Sequence, residues 1–331
     1  MYGNISLGLA IVMVVGGLVA LSWSSNVFVD GAAWLAKRFG ISPFIVGMVI
    51  IGFGTTAPEL CVSAFAGLSD HASLSLGNAY GSCIFNIAVI VGIAALIHPI
   101  DVKPLTVFVG APVLALVAAL SFLFLRDGTF SRFEAAVLLV VFAVLLPLYC
   151  WFELKTKGAG SERSATDGPH ANGSALRAAF GIGAGLAVLI GSSHFLVWGA
   201  VDIARSLGVS ELLIGLTIVA VGTSLPELAS AIASARKGQD EFVLGNILGS
   251  NLFNTLAVVG VASVINPPKD FSHYVQTRDL PLMMALSFSI AVFGVNWKRP
   301  REAGRIGRVK AAFWILVFLG YTALMLVQET P

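Results

Sequence analysis

Apolar residues run along this chain in blocks of roughly twenty, the length a helix needs to cross a bilayer, broken by short polar gaps. The blocks predict ten membrane-spanning helices, over residues 5–25, 42–66, 74–97, 104–125, 132–152, 178–200, 210–235, 242–265, 279–296 and 311–327. The first and sixth carry on as amphipathic helix to Arg38 and Arg205. Residues 154–176 turn polar and rich in Gly and Ser, the pattern of a flexible linker too short to hold a regulatory domain. The expected fold class is an all-α polytopic membrane protein.

Composition agrees. The 331-residue chain is 57% hydrophobic and 11% charged, with a mean hydropathy of +0.89. A soluble domain carries about 25% charged residues, so this chain could not cover a soluble surface. The net charge of +2 points to no nucleic-acid partner, and the lipid bilayer is the one partner implied besides small ions. Position matters more than the total. The odd-numbered gaps hold fifteen of the 20 Lys and Arg, six of them between Lys298 and Lys310. The positive-inside rule then places both termini outside, as for a multi-pass protein of a plasma (inner) membrane. Residues 1–4 lack the basic start of a cleavable signal peptide. Cys61, Cys83 and Cys150 sit in apolar stretches without metal-site spacing and read as small packing residues.

The chain repeats itself. Residues 40–60 (GISPFIVGMVIIGFGTTAPEL) lie over 208–228 (GVSELLIGLTIVAVGTSLPEL), residues 77–86 (GNAYGSCIFN) over 245–254 (GNILGSNLFN), and 24–29 over 192–197, all at an offset of 168. This divides the chain into a first repeat (1–153), the linker (154–176) and a second repeat (177–331). Five spans per repeat is an odd number, so the second must enter the membrane inverted. Inverted repeats place a substrate site near the midplane where the halves meet.

Two of the 18 acidic residues, Glu59 and Glu227, fall inside apolar spans at equivalent repeat positions. A carboxylate there costs roughly 3 kcal/mol on insertion scales, so each calls for a cation or a proton. Each follows a proline, Pro58 or Pro226, which leaves the carbonyl four residues earlier without its helix donor. Such a carbonyl is tolerated at membrane depth where it lines a wet cavity. Thr55, Thr56, Thr223 and Ser224 add hydroxyls beside it. The next span of each repeat supplies a second wall. Asn78, Ser82 and Asn86, and likewise Asn246, Ser250 and Asn254, recur every four residues along one helix stripe. Gly77, Gly81, Gly245 and Gly249 let another helix come close. Ser82, Ser250, Asn86 and Asn254 are the deeper ligand candidates, whereas Asn78 and Asn246 can instead bond the broken backbone. An all-oxygen set favours hard cations over zinc or copper. Two carboxylates balance one Ca²⁺, or more than one Na⁺ competing for the same ligands.

The paired GTTAPEL/GTSLPEL and GNAYGSCIFN/GNILGSNLFN motifs resemble the two alpha-repeats of the cation/calcium exchanger superfamily, in particular its prokaryotic sodium/calcium exchanger branch. The resemblance implies a secondary active antiporter, not an enzyme, with Na⁺ and Ca²⁺ as transported ions and no cofactor. It implies Ca²⁺ at Glu59, Glu227, Thr55 and Thr223, and Na⁺ at Thr56, Ser224, Ser82 and Ser250 as well. It also implies sliding of the first and sixth helices past a fixed core. Asn at both 86 and 254, where some members carry Asp, argues against potassium co-transport. A proton-coupled calcium exchanger using the same glutamates is the alternative. Asp30 and Asp202 read as solvated helix ends, and His194 as a helix-packing or cavity-lining residue.

Overall fold

A computed structural model of the chain describes residues 6–68, 72–157, 175–207, 220–268, 271 and 273–329. The linker core (158–174) and the first half of the expected seventh span (208–219) lie outside the described residues.

Helix α1 (Leu7–Phe39) starts at Ser6, whose hydroxyl accepts from the Leu9 amide. It stops at Gly40, which takes the left-handed conformation (φ 63°) that returns the cap amide to Ala36 O. There follow α2 (Pro43–Val46), α3 (Gly52–Leu68), α4 (Ala72–Phe85), α5 (Gly92–Ile97), α6 (Ala111–Leu125), α7 (Arg132–Lys157) and α8 (Ala175–Ser206). The second half continues with α9 (Ala220–Thr223), α10 (Leu225–Arg236), α11 (Asp240–Leu252), α12 (Val259–Ile265), α13 (Leu280–Gly294) and α14 (Arg308–Glu329). Wider π-helical turns join several of them: Gly47–Ile51, Asn86–Val91, Thr106–Gly110, Phe253–Val258 and Val275–Asp279. As expected, α1 and α8 run well past their apolar blocks.

Eight helical runs among the described residues are long and apolar enough to cross a membrane. The ninth expected span is α13, 15 residues long and led in by the turn at Val275–Asp279. The all-α expectation needs one correction. Ile100–Val102 (β1) pairs antiparallel with Gly304–Ile306 (β2), Asp101 opposite Arg305. Strands this short in basic loops show no alternating pattern. Gly304 is required there, because a Cβ would run into Gly294 O. The ribbon is anchored to the start of α11, where Asp240 Oδ2 accepts from the Asp101 amide at 2.9 Å and Glu241 pairs with Lys103.

The core is built from the spans that carry the second ligand wall. In the most apolar 18-residue stretch of Asp240–Ile265, 89% of residues are buried, and in that of Ser75–Ile97 72%, against 17% in that of Arg132–Lys155. The small, polar stripe of these helices therefore faces protein, and the larger apolar side chains of α7 and α14 face outward. Helices α1 and α8 pair along their length outside this core, and their close contacts recur at the repeat offset. Gly17 meets Leu196 as Gly185 meets Phe28, and Gly31 meets Ile182 as Gly199 meets Val14.

Three sequence readings change. Asp202 is buried, 7% exposed, and not a solvated helix end. Asp30 is not merely a solvated helix end, since Lys237 Nζ pairs with its Oδ1 at 2.7 Å and ties α1 to the end of α10. His194 is exposed on α8 and not packed inside the protein.

Candidate ion-binding site

The site forms where α3 crosses α10. Glu59 and Glu227 are both 0% exposed. Thr56, one turn before Glu59, donates its hydroxyl to Glu227 Oε1 at 3.0 Å. Ser224, one turn before Glu227, lies 3.5 Å from Glu59 Oε1 and 3.3 Å from Ser82 Oγ. A chain of hydroxyl protons can thus run from Ser82 through Ser224 to the Glu59 carboxylate.

The backbone differs between the two halves. In the second, the helix is interrupted at Ser224, between α9 and α10, with Pro226 in the first turn of α10. In the first, α3 passes through Pro58 unbroken. An interruption is therefore seen on one side only, although Pro58, with no N–H, still leaves Gly54 O without its helix donor. Thr223 ends α9 half-buried. Thr55 turns its hydroxyl back onto Ile51 O at 3.0 Å and lies 3.3 Å from Asn246 Oδ1.

On the second wall, Asn246 Oδ1 is within 3.5 Å of the Ser250 hydroxyl as well, and its Nδ2 donates to Glu227 O at 3.5 Å. Asn246 thus braces the backbone, one of the two roles its sequence position allowed. Ser250 also reaches Gly52 O at 3.4 Å. This closeness rests on glycine. A Cβ on Gly245 would run into Phe44 O, and one on Gly249 into Met48 O. Gly77 and Gly81, expected to serve the same purpose, meet nothing within 4 Å among the described residues. Their counterpart segment by the offset falls in 208–219.

Asn86 and Asn254 each begin or sit within a π-helical turn, Asn86–Val91 and Phe253–Val258, a feature frequent at functional positions in helices. Asn86 Nδ2 donates to Asn251 Oδ1 at 2.9 Å. Asn251 is missed by motif reading, because it lies off the four-residue stripe. A signal was available: the repeat alignment places Cys83 opposite it, and of the four differences between the two ten-residue motifs this is the one that adds an amide.

Four buried oxygens, Glu59 Oε2, Glu227 Oε2, Asn86 Oδ1 and Asn254 Oδ1, have no hydrogen-bond partner among the described residues. A buried carboxylate without a compensating charge costs several kcal/mol. Oxygens left unmet in this way, on residues from four packed helices, are of the chemical type that hard cations take as ligands.

Comparison with known proteins agrees. The family model for sodium/calcium exchanger protein matches residues 9–151 and 177–327, leaving out the linker. CaxA of Alkalimonas amylolytica is 40% identical over 319 residues, covering 96% of this chain and 98% of that protein. Inner membrane protein YrbG of Escherichia coli is 35% identical over 307 residues, 90% and 91% of the two chains. A solved structure of the sodium-calcium exchanger NCX_Mj, soaked with Na⁺ and Sr²⁺, superposes with a TM-score of 0.81 at 28% identity, covering 96% of this chain and 99% of that one. On its motifs, its fold and these matches, the chain belongs to the sodium/calcium exchanger family of integral, multi-pass membrane proteins.

Proposed function

We propose that this chain exchanges Na⁺ for Ca²⁺ by alternating access at a single central site. The observation that carries the reading is the pair of buried carboxylates, Glu59 and Glu227, each with an oxygen lacking a partner among the described residues. Glu59 and Glu227 hold Ca²⁺ together with Thr55 and Thr223. Thr56, Ser224, Ser82, Ser250, Asn86 and Asn254 complete the Na⁺ sites. Because the ions share ligands, Na⁺ entering displaces Ca²⁺, and that competition is the basis of exchange.

The site belongs to a ten-span chain of two inverted five-helix repeats. Support comes from contacts that recur at the 168-residue offset: Thr56 to Glu227 with Ser224 to Glu59, and the paired glycine contacts of α1 and α8. The π-helical turns at Asn86–Val91 and Phe253–Val258 are a third such pair. Positive-inside counting puts both termini outside, and the inner-membrane relative favours a plasma membrane.

The test is Ca²⁺ uptake into proteoliposomes loaded with Na⁺ against choline-loaded controls, with no K⁺ or pH gradient. Uptake confined to the Na⁺-loaded vesicles is the expected result. Uptake that instead follows an imposed pH gradient would establish the proton-coupled alternative on the same glutamates.

A further inference from the structure

At the seam between the two second walls, Cys83 and Asn251 face one another, 168 residues apart and so equivalent in the repeat. Asn251 Nδ2 donates to the carbonyl of Cys83 at 3.3 Å. A carbonyl oxygen only accepts, so this contact fixes which end of the Asn251 amide points where. Its Oδ1 must face Asn86, and it accepts from Asn86 Nδ2 at 2.9 Å. Asn86 then has its own polarity imposed. Its nitrogen is turned to Asn251 and its Oδ1 away from it, buried and without a partner among the described residues. One backbone carbonyl thus orders two amides in series.

The other repeat lacks this device. The counterpart of Asn86 is Asn254, and the counterpart of Asn251 is Cys83, which has no amide to offer. Cys83 Sγ lies 3.7 Å from Asn251 O, the repeat equivalent of the contact that Asn251 makes to Cys83 O, and its other contact, at 3.5 Å, is to Thr255 Oγ1. Accordingly both Nδ2 and Oδ1 of Asn254, fully buried, have no partner among the described residues.

From this, and resting on the reading of the cradle as an ion site, we propose that Asn251 is a positioning residue. It holds Asn86 with its oxygen presented to the transported cation, while Cys83 leaves Asn254 without such a hold. The two repeat-equivalent asparagines are therefore unequal ligands, one preset and one free to reorient.

The test uses full-length protein in Na⁺-loaded proteoliposomes, reading the Ca²⁺ KM and the maximal rate separately. With the clamp removed by Asn251→Ala, the Asn86 amide turns its nitrogen to the cation about half the time. The KM rises by roughly 2- to 10-fold, more than the maximal rate falls. Adding Cys83→Asn to Asn251→Ala restores a clamp, now on Asn254, and brings the KM back towards the native value. Adding Cys83→Leu, of similar size but without an amide, does not. An unchanged KM in Asn251→Ala, or equal KM values in the two double variants, overturns the proposal. Should Asn251→Ala not fold, Cys83→Asn in the native chain gives a separate readout. It clamps both asparagines and lowers the KM by about twofold, and no change overturns the role. Wild-type protein without Na⁺-dependent Ca²⁺ uptake would overturn the exchange reading itself, an outcome distinct from variants that match a working wild type.

Discussion

Thr56 and Glu227, 171 residues apart in sequence, meet at 3.0 Å, the threonine hydroxyl donating to the carboxylate. Moved by one repeat, the contact becomes Ser224 with Glu59 at 3.5 Å. Each half of the chain therefore supplies a hydroxyl to the carboxylate of the other, so neither half can build the site alone. The shorter contact is the stronger. A hydrogen bond to a charged group is worth about 1.5–3 kcal/mol, and part of it persists when the carboxylate takes up a cation. Thr56→Val should raise the Ca²⁺ KM by about tenfold and Ser224→Ala by about threefold, in steady-state uptake by proteoliposomes. Equal effects from the two would mean that the hydroxyls act as ion ligands only and not through the carboxylates.

Replacing either glutamate separates stability from transport. Glu59→Gln and Glu227→Gln keep the shape and remove an uncompensated buried charge. Each should abolish Na⁺-driven Ca²⁺ uptake while stabilising the protein by about 1 kcal/mol or more in buffer free of both ions. Thermal unfolding in detergent reads the second effect. A variant that unfolds at lower temperature than the wild type would show that the carboxylates hold the helices together.

Ion removal should act on the wild type alone. A ligand present at 100 times its Kd stabilises the folded state by about 2.7 kcal/mol. Chelating Ca²⁺ should lower the unfolding temperature of the wild type and leave that of Glu227→Gln unmoved. An equal shift in both would place the stabilising Ca²⁺ elsewhere.

The approach of α11 to the Gly47–Ile51 turn depends on Gly249, where a Cβ would run into Met48 O. Gly249→Ala should destabilise by about 1–3 kcal/mol, the usual penalty of overpacking. Gly320→Ala on the exposed face of α14 meets nothing within 4 Å among the described residues and should stay within about 0.5 kcal/mol of the wild type. Thermal unfolding of the two variants side by side checks the difference.

Much of this was legible in the sequence, for physical reasons. Glu59 and Glu227 stand out because a carboxylate in an apolar block has few explanations. The 168-residue offset made their equivalence visible. The four-residue stripe of Asn78, Ser82 and Asn86 marked a single helix face. What escaped was of a different kind. Cys83 and Asn251 are one of four differences between the paired motifs, and the amide order that Asn251 sets depends on a carbonyl direction that no residue type encodes. Pro58 and Pro226 read alike, yet only the second accompanies an interruption, at Ser224, because packing decides whether a proline helix stays continuous. The Asp30–Lys237 pair joins residues 207 positions apart whose repeat-equivalent positions, 198 and 69, hold Trp and Ser. The ribbon of Ile100–Val102 with Gly304–Ile306 is too short to carry a period.

The most direct test of the central claim is calorimetric Ca²⁺ binding to the purified protein, titrated with and without Na⁺, in the wild type and in Glu227→Gln. One Ca²⁺ bound per chain, weakened progressively by Na⁺ and lost in the variant, is the predicted result. Binding in the wild type that ignores Na⁺, or survives Glu227→Gln at native affinity, would contradict a shared site built on the two carboxylates.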